Sequence, residues 1–189
     1  MCVHICAGAP PSRGAGEERG RQSPLRNGIP WPKKWPWVMQ VPYELKKSSI
    51  AGLGLFATAP IRRGALLWKY DENSVKEYDE AAFRARLAPL SPQEASELCE
   101  HVFTWEGRVC EIMDDGKYWN HAKGDKQNTG NHPDGDEHGD GMSSYALRDI
   151  AVGEELTDDY ALYDNLPWFE AVCKERNAES CRAVGVQYD

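Results

Sequence analysis

Short apolar segments separated by glycine-containing turns are the feature that most constrains how this chain can fold. The turns include Arg63-Gly64, Glu106-Gly107 and Val152-Gly153. Short apolar runs bounded by glycine are typical of β-strands and their connections. The candidate strands lie within 49–60, 65–70, 101–105, 108–113, 143–150 and 154–162. We therefore predict a mainly β fold of the α+β class, irregular and built from many short strands.

Short helices are predicted beside these strands. Asp79 can cap the first turn of one helix, where Tyr78 and Phe83 are spaced to pack against each other. Ser91-Pro92-Gln93-Glu94 is a capping box with proline at the first helical position, so it predicts the start of a second helix. A closing helix is predicted from Pro167, with its apolar side chains facing inward.

The chain of 189 residues is long enough for one domain with a proper core and flanking segments. Residues 1–37 are rich in Pro, Gly, Arg and Ser, which predicts a basic, low-complexity segment without stable structure. Residues 38–165 are predicted to form the folded domain, with a helical insertion at 71–104. Residues 166–189 are predicted to form a C-terminal helical segment.

Charge is distributed unevenly along the chain. Residues 1–47 carry eight Lys and Arg against three Asp and Glu, whereas residues 48–189 carry fourteen against twenty-seven. An acidic folded part argues against direct binding of nucleic acid, because a phosphate backbone needs a basic surface. It suits a basic partner such as a Lys/Arg-rich peptide. An acidic surface that serves only solubility is the alternative.

Targeting features of the sequence predict an intracellular protein, nuclear or cytoplasmic. The sequence has no run of 18 apolar residues, so no membrane span is expected. Its first ten residues lack the basic start of a secretory signal. The six cysteines form no Cys-x-x-Cys pair, which predicts reduced thiols that mostly pack in the core. The oligomeric state has no signal in the sequence.

Two motifs carry residues suited to ligand binding. The Gly52-Leu53-Gly54 segment has no Cβ at either glycine, so its backbone can approach a ligand closely. The segment YWNHAKGDKQNTG, at 118–130, places Asn120 and His121 directly after two aromatic residues. A strand that delivers these side chains to a ligand is one interpretation. A strand end followed by an ordinary turn is the other.

A third motif lies nearer the C-terminus. The segment RDIAVGEELTDDY, at 148–160, predicts a strand, a turn and a second strand that ends in Tyr160. A tyrosine in that place serves packing or function. Asp158 and Asp159 precede it, but adjacent residues of a strand point to opposite faces of the sheet. We therefore do not expect them to act as an acid–base pair.

Taken together, these motifs resemble the SET-domain protein-lysine N-methyltransferases. The matching segments are, in order, GLGLFA, LLWKY, NHAKGDKQNTG and ALRDIAVGEELTDDY, and the resemblance covers roughly residues 42–170. It implies a SET-type β-clip in which the C-terminal segment passes through a loop to make a pseudoknot. In that fold Tyr118 and Trp119 fill the core and hold Asn120 and His121 at a cofactor pocket.

The resemblance implies S-adenosylmethionine as the cofactor. In the family pattern the glycine segment and the Asn-His pair contact the cofactor, the pair's histidine mainly through its backbone near the adenine. A tyrosine after the second strand lines the pocket, and a tryptophan after the last strand is placed to stack on the adenine. The implied cofactor-binding residues are Gly52, Leu53, Gly54, Tyr70, Asn120, His121 and Trp168.

The resemblance also implies two residues at the lysine site and a substrate class. Tyr160 would orient the attacking amine, and Tyr145 would line the lysine channel unless it only packs the core. The substrate would be a basic protein or peptide, with a histone tail as the first expectation. The acidic loop 131–144 could attract such a substrate.

Departures from the family pattern leave alternatives open. The Asn-His motif has two extra residues and lacks its usual proline, and Asp158 stands where many members have Phe or Tyr. A catalytically weak SET-like module that binds peptides is therefore the alternative function. A metal-binding protein organised by the 131–144 loop is a third interpretation. Many family members bind zinc through a cysteine within the Asn-His motif and a cysteine-rich tail. Here positions 122 and 123 are Ala and Lys, so we expect no structural zinc.

Overall fold

The computed structural model describes residues 39–70, 72, 74–139 and 141–187. The segment 1–37, predicted to lack stable structure, lies outside these residues. The strands are β1 (Tyr43–Lys47), β2 (Leu53–Ala57), β3 (Leu66–Trp68), β4 (Val75–Tyr78), β5 (Val102–Trp105), β6 (Arg108–Ile112), β7 (Asn120–His121), β8 (Thr129–Gly130), β9 (Ser144–Ala146) and β10 (Thr157–Asp158). The α-helices are α1 (Glu80–Leu87), α2 (Pro92–Glu100), α3 (Pro167–Glu175) and α4 (Cys181–Gln187). Single 3₁₀ turns lie at Asp115–Tyr118, Gly124–Lys126, Asp136–His138 and Tyr160–Leu162.

Within the described residues the strands form four small sheets. β1 and β2 make an antiparallel hairpin, β3, β9 and β8 make one three-stranded sheet, and β4, β6 and β5 make another. β7 and β10 form a parallel pair, with Asn120 opposite Thr157 and His121 opposite Asp158. This arrangement confirms the predicted mainly β, α+β class with short strands and a few helices.

The parallel β7–β10 pair depends on side chains from the segment that follows β7. Asn128 donates from Nδ2 to the Glu155 carbonyl at 2.7 Å, and its Oδ1 accepts the Thr157 N–H at 2.9 Å. Thr129 donates to the Thr157 carbonyl at 2.9 Å. A two-residue parallel ladder has few backbone hydrogen bonds, so these side chains supply the rest of its support.

Two clusters of buried side chains form the core of the part of the chain that the structure describes. The larger one surrounds the sheets and contains Trp68 and Trp119, both fully buried. The smaller one joins α1, α2 and α3 and contains Phe83 and Phe169, whose rings meet edge to face at 5.6 Å. The parallel β7–β10 pair adjoins the larger cluster through Trp119.

The predicted helix starts are confirmed by the structure. The Asp79 carboxylate accepts the Ala82 N–H at 2.8 Å, and Tyr78 packs against Phe83 with 5.8 Å between ring centroids. The capping box at Ser91 is complete, with both reciprocal hydrogen bonds to Glu94. α3 begins at Pro167 as predicted. No helix in the described ranges is both long and apolar enough to cross a membrane.

The prediction of one strand over 154–162 is wrong. The strand is limited to β10, and Tyr160–Leu162 forms a 3₁₀ turn. The cause is Asp159, whose carboxylate accepts the Ala161 N–H at 3.0 Å and so caps the turn. Tyr160 therefore begins a turn just after the parallel strand, instead of ending a longer strand.

Candidate active site

Asn120 is the centre of the site, and its amide nitrogen is tied to two distant parts of the chain. Nδ2 donates to the carbonyl oxygens of Ala51 and Leu53 at 3.3 and 3.1 Å, and to Glu155 Oε1 at 2.6 Å. The side chain is completely buried. The structure therefore brings the glycine segment and the Asn-His motif together, as expected from the sequence.

The amide oxygen of Asn120 differs from the amide nitrogen in its hydrogen bonding. Oδ1 is buried and has no hydrogen-bond partner among the described residues. Buried polar atoms in proteins nearly always have a partner, and an exception calls for an explanation such as a bound water or ligand. An amide oxygen can only accept hydrogen bonds, so the group that satisfies Oδ1 must be a donor.

The glycine segment is built for close backbone packing. Gly52 has φ of +45°, a conformation that L side chains adopt rarely. A Cβ on Gly54 would lie 2.1 Å from Glu155 Oε1 and 3.0 Å from Asn120 Nδ2. Gly54 thus leaves the space that the Glu155 carboxylate occupies in this structure. Glu155 was not predicted from the sequence as a residue of this site.

The turn before Asn120 is anchored by aromatic and acidic side chains. Trp68 Nε1 donates to Asp114 Oδ2 at 3.2 Å, and the Tyr43 hydroxyl donates to Asp115 Oδ2 at 2.7 Å. Burial is the largest influence on Asp114 and raises the pKa of its carboxyl. These contacts hold the 3₁₀ turn that leads into the buried Trp119, and so fix where Asn120 enters the site.

His121 links the Asn-His strand to the closing tyrosine. Its Nδ1 accepts the Tyr160 N–H at 3.1 Å, and its ring centroid lies 5.0 Å from that of Tyr160. The same Nδ1 lies 3.2 Å from the carbonyl oxygen of Asp158, so the ring contacts the backbone on both sides of Asp159. The imidazole therefore positions the backbone of Tyr160.

Tyr160 is almost completely buried and aims its hydroxyl back at the Asn-His strand. The hydroxyl donates to the carbonyl oxygen of Trp119, the residue before Asn120. Its ring stacks on Tyr163, with 5.6 Å between centroids and 23° between planes. The phenol oxygen thus has a fixed position, and it can also accept a hydrogen bond from a neighbouring amine.

The two aspartates before Tyr160 have different partners. Asp158 is completely buried, and its Oδ1 accepts from Gln127 Nε2 at 3.1 Å and from the Asp159 N–H at 2.8 Å. Asp159 instead caps the 3₁₀ turn. Each carboxylate is therefore bonded to a separate set of groups.

Three other residues proposed from the family pattern have clear packing environments. The Tyr70 hydroxyl donates to Glu77, and burial, followed by this bond, raises its pKa. Tyr145 lies in β9, with its ring 5.0 Å from that of His132. Trp168 packs in the helical cluster, 6.4 Å from the ring of Phe83. Their roles towards a cofactor or lysine stay predictions.

The acidic loop 131–144 lies beside Tyr145 through His132. Arg63 pairs with Asp134 at 2.7 Å, and this hydrogen bond lowers the pKa of the Asp134 carboxyl. The rings of His132 and His138 are 5.4 Å apart. In the part of the chain that the structure describes, no three His, Cys, Asp or Glu side chains are grouped so that they could hold a metal ion.

Helix α4 covers the Tyr160 turn from the outside. A Cβ on Gly185 would lie 2.3 Å from the Ala161 nitrogen and 2.8 Å from Tyr160 Cβ. Arg182 Nη1 donates to the carbonyl oxygens of Ala161 and Tyr163, both at 3.0 Å. This contact was not predicted from the sequence, although a glycine inside a helical segment is a signal of close backbone packing.

Comparison with known proteins gives one family and several structural relatives. No curated protein is significantly similar to this chain in sequence. Neurospora DIM-5, a histone lysine methyltransferase, is 15% identical with a TM-score of 0.42, over 64% of this chain and 52% of that chain. Chaetomium thermophilum Polycomb Repressive Complex 2 bound to GSK126 is 21% identical with a TM-score of 0.49, over 71% of this chain and 17% of that chain. The autoinhibited form of that complex, bound to S-adenosylmethionine, is 23% identical with a TM-score of 0.48, over 71% and 17% of the two chains.

The alignment thus spans about half of the DIM-5 chain and a small part of the Polycomb chains. The model of the SET domain matches residues 52–161, from the glycine turn beside Asn120 to the residue after Tyr160. This match covers more than half of the 189 residues and contains the Asn120, Glu155 and Tyr160 contacts described above, so the protein belongs to the SET-domain family.

Proposed function

We propose that the protein is an S-adenosylmethionine-dependent methyltransferase that methylates the side-chain amine of lysine in a basic protein substrate. One observation carries this proposal. The buried Oδ1 of Asn120 has no partner among the described residues, and it lies in one hydrogen-bonded unit with the glycine segment. A cofactor with N–H donors is the kind of group that would satisfy this atom, and SET-family membership favours S-adenosylmethionine.

The residues of this chain fit such a cofactor. Asn120 would accept a hydrogen bond from it, and the Gly52–Gly54 backbone would pass close beside it. His121 would hold the Tyr160 backbone beside this site, because its Nδ1 accepts the Tyr160 N–H. When bound, the cofactor supplies an electrophilic methyl group on a sulfonium.

The lysine must arrive as a neutral amine, although its ordinary pKa is about 10.4. An apolar environment disfavours the ammonium form and therefore lowers the lysine pKa. Tyr160 is 2% exposed and stacks on Tyr163, so an amine placed beside it would be shielded from water. Its hydroxyl donates to the Trp119 carbonyl, and a phenol oxygen can also accept a hydrogen bond, so Tyr160 would accept the amine N–H and orient the nitrogen. Because methyl transfer is an in-line displacement, this positioning supplies much of the rate.

The substrate class follows from charge. Residues 48–189 carry thirteen more acidic than basic residues, which favours association with a basic segment such as a histone tail. The 131–144 loop adds acidic side chains near Tyr145, the residue proposed to line the lysine channel. We propose an intracellular site of action, where such substrates are found.

A peptide-binding module with little turnover is the second candidate, and Asp158 favours it. This buried carboxylate, bonded to Gln127, stands where many relatives have an aromatic ring, so the lysine site has a different polarity from theirs. Catalysis in such a site could be weak while peptide binding survives.

The test has two stages. Calorimetry first measures binding of S-adenosylmethionine to wild-type protein, and a labelled methyl group is then followed into histone tails and other basic peptides. Methylation of a lysine supports the enzyme, whereas binding of cofactor and peptide without transfer supports the module. Absence of cofactor binding refutes the enzyme proposal.

A further inference from the structure

We propose that Glu155 is a positioning residue of the cofactor site, which orients the Asn120 amide and supplies the negative charge that selects a cationic donor at Oδ1. This inference rests on the proposed function and deepens it, because it names the carboxylate that orients the Asn120 amide and that a donor bound at Oδ1 would meet.

The orientation of the Asn120 amide is determined by its surroundings. Nδ2 faces the carbonyl oxygens of Ala51 and Leu53 and Glu155 Oε1, and all of them are acceptors. Rotating the amide by half a turn would place Oδ1 against this group, where no hydrogen bond could form. The Glu155 contact is the shortest, at 2.6 Å, and a charged acceptor makes the strongest hydrogen bond of the set. Glu155 thus keeps Oδ1 on the opposite side, where it has no hydrogen-bond partner among the described residues.

Glu155 is itself held in place by the turn before the glycine segment. Its Oε2 accepts from the Ser48 hydroxyl at 2.9 Å, and the Ser48 oxygen accepts the Ile50 N–H at 2.8 Å. Ser48 is buried, and its own N–H donates to the Gly52 carbonyl at 3.0 Å. Gly54 leaves the space that Oε1 occupies. The carboxylate is therefore fixed by both of its oxygens.

The charge of the Glu155 carboxylate identifies the kind of group from which Oδ1 would accept a hydrogen bond. Oδ1 and Nδ2 belong to the same amide, so a donor at Oδ1 lies within a few ångströms of the Glu155 carboxylate bonded to Nδ2. At that distance a half-buried carboxylate favours a cation over a neutral donor. S-adenosylmethionine has hydroxyl and amino donors that are neutral, and its α-ammonium is the donor that carries a positive charge. The site is thus matched to the ammonium.

The experiment compares two ligands on four proteins. The ligands are S-adenosylhomocysteine and its analogue with hydrogen in place of the α-amino group, and affinities are measured by calorimetry. The proteins are wild type, Glu155→Gln, Glu155→Ala and the control Glu154→Gln. Glu154 is the adjacent carboxylate, but it bonds to Arg148 and Asn128 instead of Asn120. Thermal unfolding of each protein verifies that it is folded.

We expect Glu155→Gln to bind S-adenosylhomocysteine about tenfold more weakly, a change of about 1.4 kcal/mol, because the charge is lost while an acceptor for Nδ2 remains. Glu155→Ala should lose more, because the amide is also released. Both variants should bind the analogue within about twofold of wild type, since no ammonium is present. Glu154→Gln should bind both ligands as wild type does.

Equal losses for the two ligands would show that Glu155 only supports the fold of the turn, and unchanged affinity for both would remove it from the site. Either result overturns this inference but leaves the proposed function standing if wild type binds S-adenosylhomocysteine. Wild-type protein that binds neither ligand refutes both.

Discussion

Substituting Gly185 with alanine is the sharpest perturbation of the Tyr160 turn that the chain offers. The added Cβ would lie 2.3 Å from the Ala161 nitrogen and 2.5 Å from the Tyr160 carbonyl carbon. Ordinary contact begins at 3.4 Å, so α4 and the Tyr160 turn must separate by about an ångström. Both neighbours are backbone atoms, so no side-chain rotation can relieve the clash. Separation would also stretch the Arg182 hydrogen bonds, each 3.0 Å long, to Ala161 and Tyr163.

The expected magnitudes follow from this geometry. Overpacking costs about 1–3 kcal/mol of unfolding free energy. Alanine gains back up to about 1 kcal/mol of helix propensity, so a net loss of about 1–2 kcal/mol is expected. A displacement of about 1 Å at a catalytic group can lower the rate of transfer by about a hundredfold. The rate should therefore fall by much more than the stability change alone requires.

Urea denaturation and a methyl-transfer assay on the same samples measure the two effects. Val186→Ala is the matched control, because this side chain lies in the same helix and is 42% exposed. The control should change stability by less than about 0.5 kcal/mol and leave turnover unaltered. If Gly185→Ala equals wild type in both assays, α4 does not hold the Tyr160 turn as we infer.

Three further predictions follow from the site and the core. Asn120→Ala should weaken binding of S-adenosylmethionine by about 1.5–3 kcal/mol in calorimetry, because a hydrogen bond to a charged group is lost. Unchanged affinity in a folded variant would remove Asn120 from the site. Tyr160→Phe should lower the rate of methyl transfer by about 10²–10³-fold with little effect on ligand affinity, by analogy with the loss of an oxyanion-hole donor. Full activity of this variant would show that the phenol is only structural. Burial lowers the pKa of His101 to about 4, so the neutral ring stabilises the fold above pH 6.5 and this contribution is lost as pH falls from 6.5 towards 4. As pH is lowered across this range, the urea midpoint of His101→Gln should fall less steeply than that of wild type. Parallel curves for the two proteins would contradict the lowered pKa of His101.

Local chemistry explains what could be predicted from the sequence. The caps at Asp79 and Ser91 involve residues three positions apart, so their partners are visible in the sequence itself. Glycine turns likewise mark the ends of short strands without reference to the rest of the chain. The family motifs placed Asn120 and Tyr160 in one site because the order of the segments carries information about the fold.

Long-range contacts explain what was missed. Glu155 meets Asn120 across 35 positions and Ser48 across 107, and nothing near Glu155 distinguishes its carboxylate from that of Glu154. The 3₁₀ turn at Tyr160 was missed because the segment after the Val152-Gly153 turn was predicted to be one strand, whereas the Asp159 cap decided the local structure. The contact of Gly185 with Tyr160 depends on how α4 returns over the turn, which no local pattern specifies.

The parallel β7–β10 pair has a consequence for how freely this domain can diversify. The chain that connects its two strands includes the acidic loop 131–144, whereas the pair itself is held by Asn128 and Thr129 before that loop begins. Doubling the length of a flexible loop costs only about 0.6 kcal/mol of closure entropy. Insertions between 133 and 142 should thus be tolerated while Asn120 stays opposite Thr157. The surface proposed to meet the substrate can therefore be exchanged, in evolution or by loop grafting, without rebuilding the site proposed to hold the methyl donor.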